Sequence, residues 1–373
     1  MKAASKVSAA ELGKLFVIGF DGTEVSPELN SLLVRIQPAG VILFARNIVQ
    51  AQQTHKLIKD CRALVREPLF VCVDLEGGRV DRFREVIGPT PAPQDVFLTG
   101  DRKLFRRHGE LIGKTCRALG FNVDLAPVLD LAFAASRRVM SSRSVSTEPK
   151  EVILYAREFL RGLGTSGVIG AGKHFPGLGE GKLDSHHDLP VIKKAFAKLW
   201  TKDLVPYRVM KRELPMILVN HANYPSVTQD ELPASLSKKW IANVLRRSLG
   251  YRGLILSDDL EMGGVLKVAP VAEAAVEFVR AGGDLCLICH QRENIEMAFE
   301  AMVREYERDP KFRKRVAESA KRVRNFQRKA KIRRQLAPPT PEVIGNLSRQ
   351  LWEFSEQIRF ERLSYAAQSG AGR

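Results

Sequence analysis

Short apolar runs recur along the chain at Leu15–Phe20, Gly40–Phe44, Leu69–Val73, Val123–Val128, Val168–Gly172, Met216–Asn220, Leu254–Leu256 and Leu285–Cys289. All are of strand length, so none predicts a membrane span. Longer stretches lie between them in which apolar residues return at helical spacing: Gln52–Val65, Arg106–Leu119, Pro149–Leu163, Lys238–Leu249 and Val271–Ala281. Strands alternating with helices predict a parallel sheet of the α/β class. Eight of them close most economically into a single-domain (β/α)₈ barrel.

Polar residues follow the apolar runs closely: Arg46-Asn47, Asp74, Asp130, Lys173-His174, Asn220-His221 and Asp258-Asp259. In such a barrel these are the C-terminal strand ends, where residues scattered along the chain converge on one mouth. Any one of them alone would serve equally well to end its strand. No linker divides the first 336 residues, which form the predicted barrel. Ala337-Pro338-Pro339-Thr340-Pro341 marks the junction to residues 337–373. That segment predicts a helix over about Glu342–Ser364, with Trp352, Phe354 and Phe360 available to dock it. Met1–Ala4 and Gln368–Arg373 are expected to fray.

Composition adds limits. The 373 residues are 45% hydrophobic and 27% charged, as in ordinary globular proteins. Leu15–Phe20 leads straight into Asp21-Gly22, so it predicts a first strand and not a secretory signal. The five cysteines are few, odd in number and mostly in apolar surroundings, which points to a reducing compartment, the cytoplasm. Cys286 and Cys289 have redox-motif spacing but lie in a strand, where residues three apart face opposite ways; they are expected in the core. The net charge of +17 is concentrated late, in Lys311–Arg334. Val316, Ala320, Val323 and Phe326 give that segment a helical apolar stripe. It predicts an amphipathic helix with a solvated basic face, the alternative being an anionic partner. No nucleic-acid partner is expected.

The chemistry concentrates in Lys173–Pro190, KHFPGLGEGKLDSHHDLP. Glycines and prolines make it a loop, and its titratable side chains make it a candidate site. Asp184 stands two residues from His186 and can accept its imidazole N–H, fixing the tautomer and raising basicity as an acid/base catalyst requires. Asp258 directly follows a strand run and points into the predicted mouth as nucleophile, general base or metal ligand. An aspartate here can instead cap the next helix; the adjacent pair allows both, with Asp258 in the site and Asp259 capping or structural. Asp74, in VDLEGGRV, is placed to accept ligand hydroxyls beside a glycine pair that permits a close turn. Arg143 lies in a polar segment after the fourth run. His174, Asp184, His186 and His187 have ligand-type side chains, but no HExxH or finger spacing accompanies them, so no metal or other cofactor is expected.

VDLEGGRV, KHFPG-x-G, DSH and SDDLEM, in this order between about Leu15 and Ile288, resemble the family 3 glycoside hydrolases, and among them the single-domain β-N-acetylglucosaminidases. The resemblance implies a (β/α)₈ barrel and hydrolysis of β-linked sugars with retention, through a covalent glycosyl-enzyme and without a cofactor. Residue by residue it implies Asp258 as nucleophile, His186 as general acid/base and Asp184 as its orienting partner. It implies Asp74, Arg82, Arg143, Lys173 and His174 as ligands of the first sugar. Larger family members take their acid/base from a second domain, for which this chain leaves no room after the barrel. The implied substrate is therefore a carbohydrate ending in N-acetylglucosamine, of the muropeptide type met in peptidoglycan recycling. β-Glucoside hydrolysis, phosphorolysis and sugar binding without turnover are the alternatives. Leu178 replaces the family's usual histidine, and Val145-Ser146 replaces its usual Phe-Gly. Neither change removes an implied catalytic residue. Oligomeric state is not legible in the sequence.

Overall fold

The computed structural model describes residues 11–179, 181, 189–330, 332 and 337–370, with residue 138 and residues 364–370 described by backbone only. Eight parallel strands close into a barrel: β1 (Phe16–Ile18), β2 (Gly40–Ile42), β3 (Phe70–Val73), β6 (Val123–Asp124), β7 (Ile169–Phe175), β8 (Met216–Val219), β9 (Leu254–Asp259) and β10 (Leu285–Ile288). β1 pairs with both β2 and β10, which closes the ring. A small antiparallel hairpin, β4 (Leu75–Gly77) and β5 (Val80–Asp81), is inserted after β3.

The strands read as unbroken apolar runs because both of their faces are buried. Val17, Ile42, Phe70, Cys72, Met216, Leu218, Leu254, Leu256, Leu285 and Leu287 fill the barrel interior. Their strand neighbours Phe16, Ile18, Val41, Val71, Ile217, Ile255, Cys286 and Ile288 pack outward against the helices. All five cysteines are buried and unpaired. Among the described residues, no helix is long and apolar enough to cross a membrane.

The basic helix, Pro310–Lys329, buries Phe312, Val316, Ala320 and Val323, and Val323 joins the interior cluster. Gln327 donates to the carbonyls of Pro68 (2.6 Å) and Ala39 (3.3 Å), so the helix crosses under the N-terminal strand ends, opposite the mouth. The C-terminal helix, Pro341–Gly370, runs past the expected end and through part of the segment expected to fray. It docks through Leu347, Leu351, Phe354 and Ile358. Trp352 and Phe360, expected to dock it, are instead 66% and 70% exposed. Helical period explains this: residues 347, 351, 354 and 358 share one stripe, and 352 lies off it.

Two strands differ from expectation in ways that shape the mouth. β6 spans only Val123–Asp124, yet the chain beyond it stays paired with β7, since Lys173 N–H donates to the Pro127 carbonyl and Leu129 N–H to the Lys173 carbonyl. β7 continues through Phe175, so Lys173 and His174 belong to the strand and not to the loop after it. The Lys173–His174 peptide is cis.

Candidate active site

The residues that end β3, β7 and β9 meet those of the hairpin and of the loop after β6. Asp74, Glu76, Arg79, Arg82, Arg143, Lys173, His174, Leu178 and Asp258 line one cavity of about 130 Å³ at the C-terminal end of the barrel. A larger cavity of about 840 Å³ lies at the other end, beside the C-terminal helix. Its charged lining is Lys114 and Arg117, without the facing carboxylates of the smaller one.

The floor of the smaller cavity is a network of buried charges. Lys173 Nζ lies 2.8 Å from Asp74 Oδ1 and 2.6 Å from Glu76 Oε1. Arg143 grips Glu76 with two parallel bonds of 2.7 Å, the bidentate geometry that only arginine offers. Arg82 approaches Asp74 at 3.7 Å. Burial alone would push both carboxyl pKa values up. For Asp74, Lys173 and then Arg82 outweigh it; for Glu76, Arg143 and then Lys173 do, and both groups are held below their ordinary values. Burial would likewise lower the Lys173 pKa, but Asp74 and Glu76 raise it. The network is therefore ionised near neutrality.

His174 is fixed from below. Its Nδ1 lies 2.6 Å from Asp130 Oδ2, its backbone N–H donates to the same oxygen, and the Leu178 N–H donates to Asp130 Oδ1. His174 Nε2 faces Arg143 Nη2 at 3.2 Å. A guanidinium only donates, so Nε2 accepts and Nδ1 carries the proton given to Asp130.

Three acidic residues cluster in Asp258-Asp259-Leu260-Glu261, and the structure gives them separate tasks. Asp259 accepts from the Glu261 N–H (3.1 Å) and faces His290 at 3.3 Å. Glu261 accepts from the backbone N–H groups of Cys289, His290 and Gln291 and from Asn294. Both hold loops, while Asp258 lines the cavity. Beneath them, buried His221 accepts from the Ser235 hydroxyl and donates to the Asp259 carbonyl. Burial lowers its pKa and keeps it neutral.

Of the residues singled out from sequence, Asp74, Arg82, Arg143, Lys173, His174 and Asp258 thus share one cavity. Asp184, His186 and His187 lie outside the described residues. Asn47 and Asn220, also marked as polar strand ends, bind backbone carbonyls of Phe20, Gly22 and His174 and so hold loops in place. Glu76 is not singled out by the sequence, and Asp130 is marked there only as a polar strand end, without a role. Glu76 lies two residues beyond Asp74 in an insertion whose hairpin form has no sequence period. Asp130 acts through His174, a contact between separate strand ends.

Residues 8–326 match the model described as "Glycosyl hydrolase family 3 N terminal domain". The chain is 38% identical over 291 residues to a protein named beta-hexosaminidase from Alkalilimnicola ehrlichii, covering 76% of this chain and 82% of that one. It is 34% identical over 289 residues to a beta-hexosaminidase of Pseudomonas aeruginosa, covering 77% and 86%. The structure of a glycoside hydrolase family 3 beta-N-acetylglucosaminidase from Paenibacillus superposes with a TM-score of 0.85 at 29% identity, covering 95% of this chain and 69% of that one.

Proposed function

The chain belongs to glycosyl hydrolase family 3 and is a glycoside hydrolase, and from that premise we propose that it removes terminal β-linked N-acetylglucosamine with retention, through an ester on Asp258. The observation that carries this is the convergence of Asp258 with Asp74, Arg82, Arg143, Lys173 and His174 in one cavity. The names of its relatives support the acetamido sugar.

In the proposed cycle an Asp258 carboxylate oxygen attacks the anomeric carbon as the glycosidic C–O bond breaks. The departing oxygen takes a proton from His186. Water then attacks the anomeric carbon, His186 takes the proton from that water, and the sugar leaves with Asp258 restored. Most retaining glycosidases use two carboxylates about 5–5.5 Å apart. Here a histidine with an ordinary pKa of about 6.5 replaces one, and Asp184 supports its cation. Asp74, kept ionised by Lys173 and Arg82, accepts two sugar hydroxyls and positions the ring.

We place the natural substrate among peptidoglycan-derived muropeptides and the enzyme in the cytoplasm; five buried, unpaired cysteines support a reducing compartment. The test is release of nitrophenol from the β-N-acetylglucosaminide and from the β-glucoside, by wild type and by Asp258→Ala. Cleavage of the acetamido sugar that falls at least about 10³-fold in the variant is expected. Preference for the plain glucoside overturns the substrate, and activity that survives Asp258→Ala overturns the mechanism. A sugar phosphate formed in phosphate buffer would make the enzyme a phosphorylase.

A further inference from the structure

Arg79 stands at the tip of the β4–β5 hairpin, and the hairpin is firmly held. Gly77 and Gly78 have φ of +93° and +63°. A Cβ on Gly77 would lie 2.2 Å from the Pro91 carbonyl oxygen, and one on Gly78 would lie 2.6 Å from Ala92 Cβ. The turn is thus wedged against Pro91-Ala92, and the Arg79 guanidinium is tied to the Val139 carbonyl. The side chain lines the cavity that holds Asp258, yet the residue is exposed. It therefore lies at the rim and not on the floor.

The charge pairing in this cavity is uneven. Lys173 faces Asp74 and Glu76, Arg82 faces Asp74, and Arg143 grips Glu76. Arg79 contacts only a carbonyl and has no acidic partner among the described residues. Exposed Arg84, which donates to the Gly78 carbonyl, adds a second cation on the same hairpin arm. A preplaced guanidinium at the mouth of a site, with no carboxylate on it among the described residues, is what binding of a ligand carboxylate requires.

We propose that Arg79 binds the leaving sugar of the substrate, pairing with a carboxylate that this sugar carries and so favouring acidic over neutral aglycones. This rests on the hydrolase reading above. The floor cations, already engaged by Asp74 and Glu76, hold the N-acetylglucosamine, and Arg79 reads what is attached to it.

The test compares kcat/KM for N,N′-diacetylchitobiose with that for the same disaccharide carrying a 3-O-lactyl ether on its reducing sugar. The two share glycone, linkage and ring, and differ only in the lactyl ether and the one carboxylate it carries. Wild type is expected to favour the acidic substrate about fivefold, as an exposed ion pair allows. Arg79→Gln should bring the ratio near one, mainly through KM, and Arg79→Lys should restore part of it. Added salt should lower the ratio in wild type and leave it flat in Arg79→Gln. A wild-type ratio of one or less overturns the proposal. So does an Arg79→Gln variant that slows both disaccharides and the nitrophenyl glycoside by one common factor, which would assign Arg79 to holding the short helix Arg137–Met140 through the Val139 carbonyl. Wild type that cleaves none of the three refutes the hydrolase reading itself, a result separate from any effect of Arg79.

Discussion

Glu76→Gln is the sharpest test of the buried network. Glu76 is 1% exposed and receives three charge-assisted bonds, two of 2.7 Å from Arg143 and one of 2.6 Å from Lys173. Glutamine keeps the shape but removes the charge, and its amide group presents donors to groups that only donate. Two buried cations are left facing Asp74. Breaking a buried pair in this way costs about 3–5 kcal/mol. With an unfolding entropy of about 2.1 cal/mol/K per residue over 373 residues, that lowers Tm by about 4–6 °C. The pH dependence has a definite sign. The folded pKa of Glu76 lies below its ordinary 4.5, so its contribution is complete above about pH 4.5 and is lost as pH falls through the folded value. Scanning calorimetry of wild type and variant at pH 7 and at about pH 3.5 checks both points. A gap below about 1 °C at pH 7, or one that widens on acidification, refutes the account.

Asp130→Asn should unseat His174 and lower kcat/KM on the nitrophenyl substrate about 10- to 100-fold, since small misplacements of a binding group carry that penalty. An unchanged rate would show that His174 needs no orienting partner. Gly77→Ala combines positive φ with a Cβ 2.2 Å from the Pro91 oxygen, and should lose about 3 kcal/mol or more in denaturant melts; a loss under 1 kcal/mol would mean that the hairpin shifts freely. His186→Ala should slow poor leaving groups far more than nitrophenol, because protonation matters most there. Equal slowing of both would remove the acid role from His186.

The barrel was legible because its strands are apolar on both faces, and unbroken runs such as Leu285–Cys289 survive without any tertiary information. The polar residue that ends each run was legible too, but not what it does there. Asp258 and Asn220 look alike in sequence; one lines the cavity and the other binds the His174 carbonyl. That difference is set by which neighbour strand each faces, and local spacing does not encode it.

Glu76 shows the same limit more strongly. In sequence it is one acid within a glycine-rich turn. In space it neutralises a lysine from β7 and an arginine from the loop after β6, 97 and 67 residues away. A buried lysine was the available clue. Lys173 is the lone cation among the isoleucine, glycines, alanine and aromatic rings of its strand, and a buried cation there requires carboxylates brought to it from elsewhere in the chain. Asp74 accounts for one, and the short Lys173–Glu76 contact shows that the site needs a second. Charge balance across strand ends thus finds a partner that spacing does not. The same rule, applied to the rim, leaves Arg79 as a cation without a carboxylate among the described residues, the place where the leaving sugar's own carboxylate is proposed to bind.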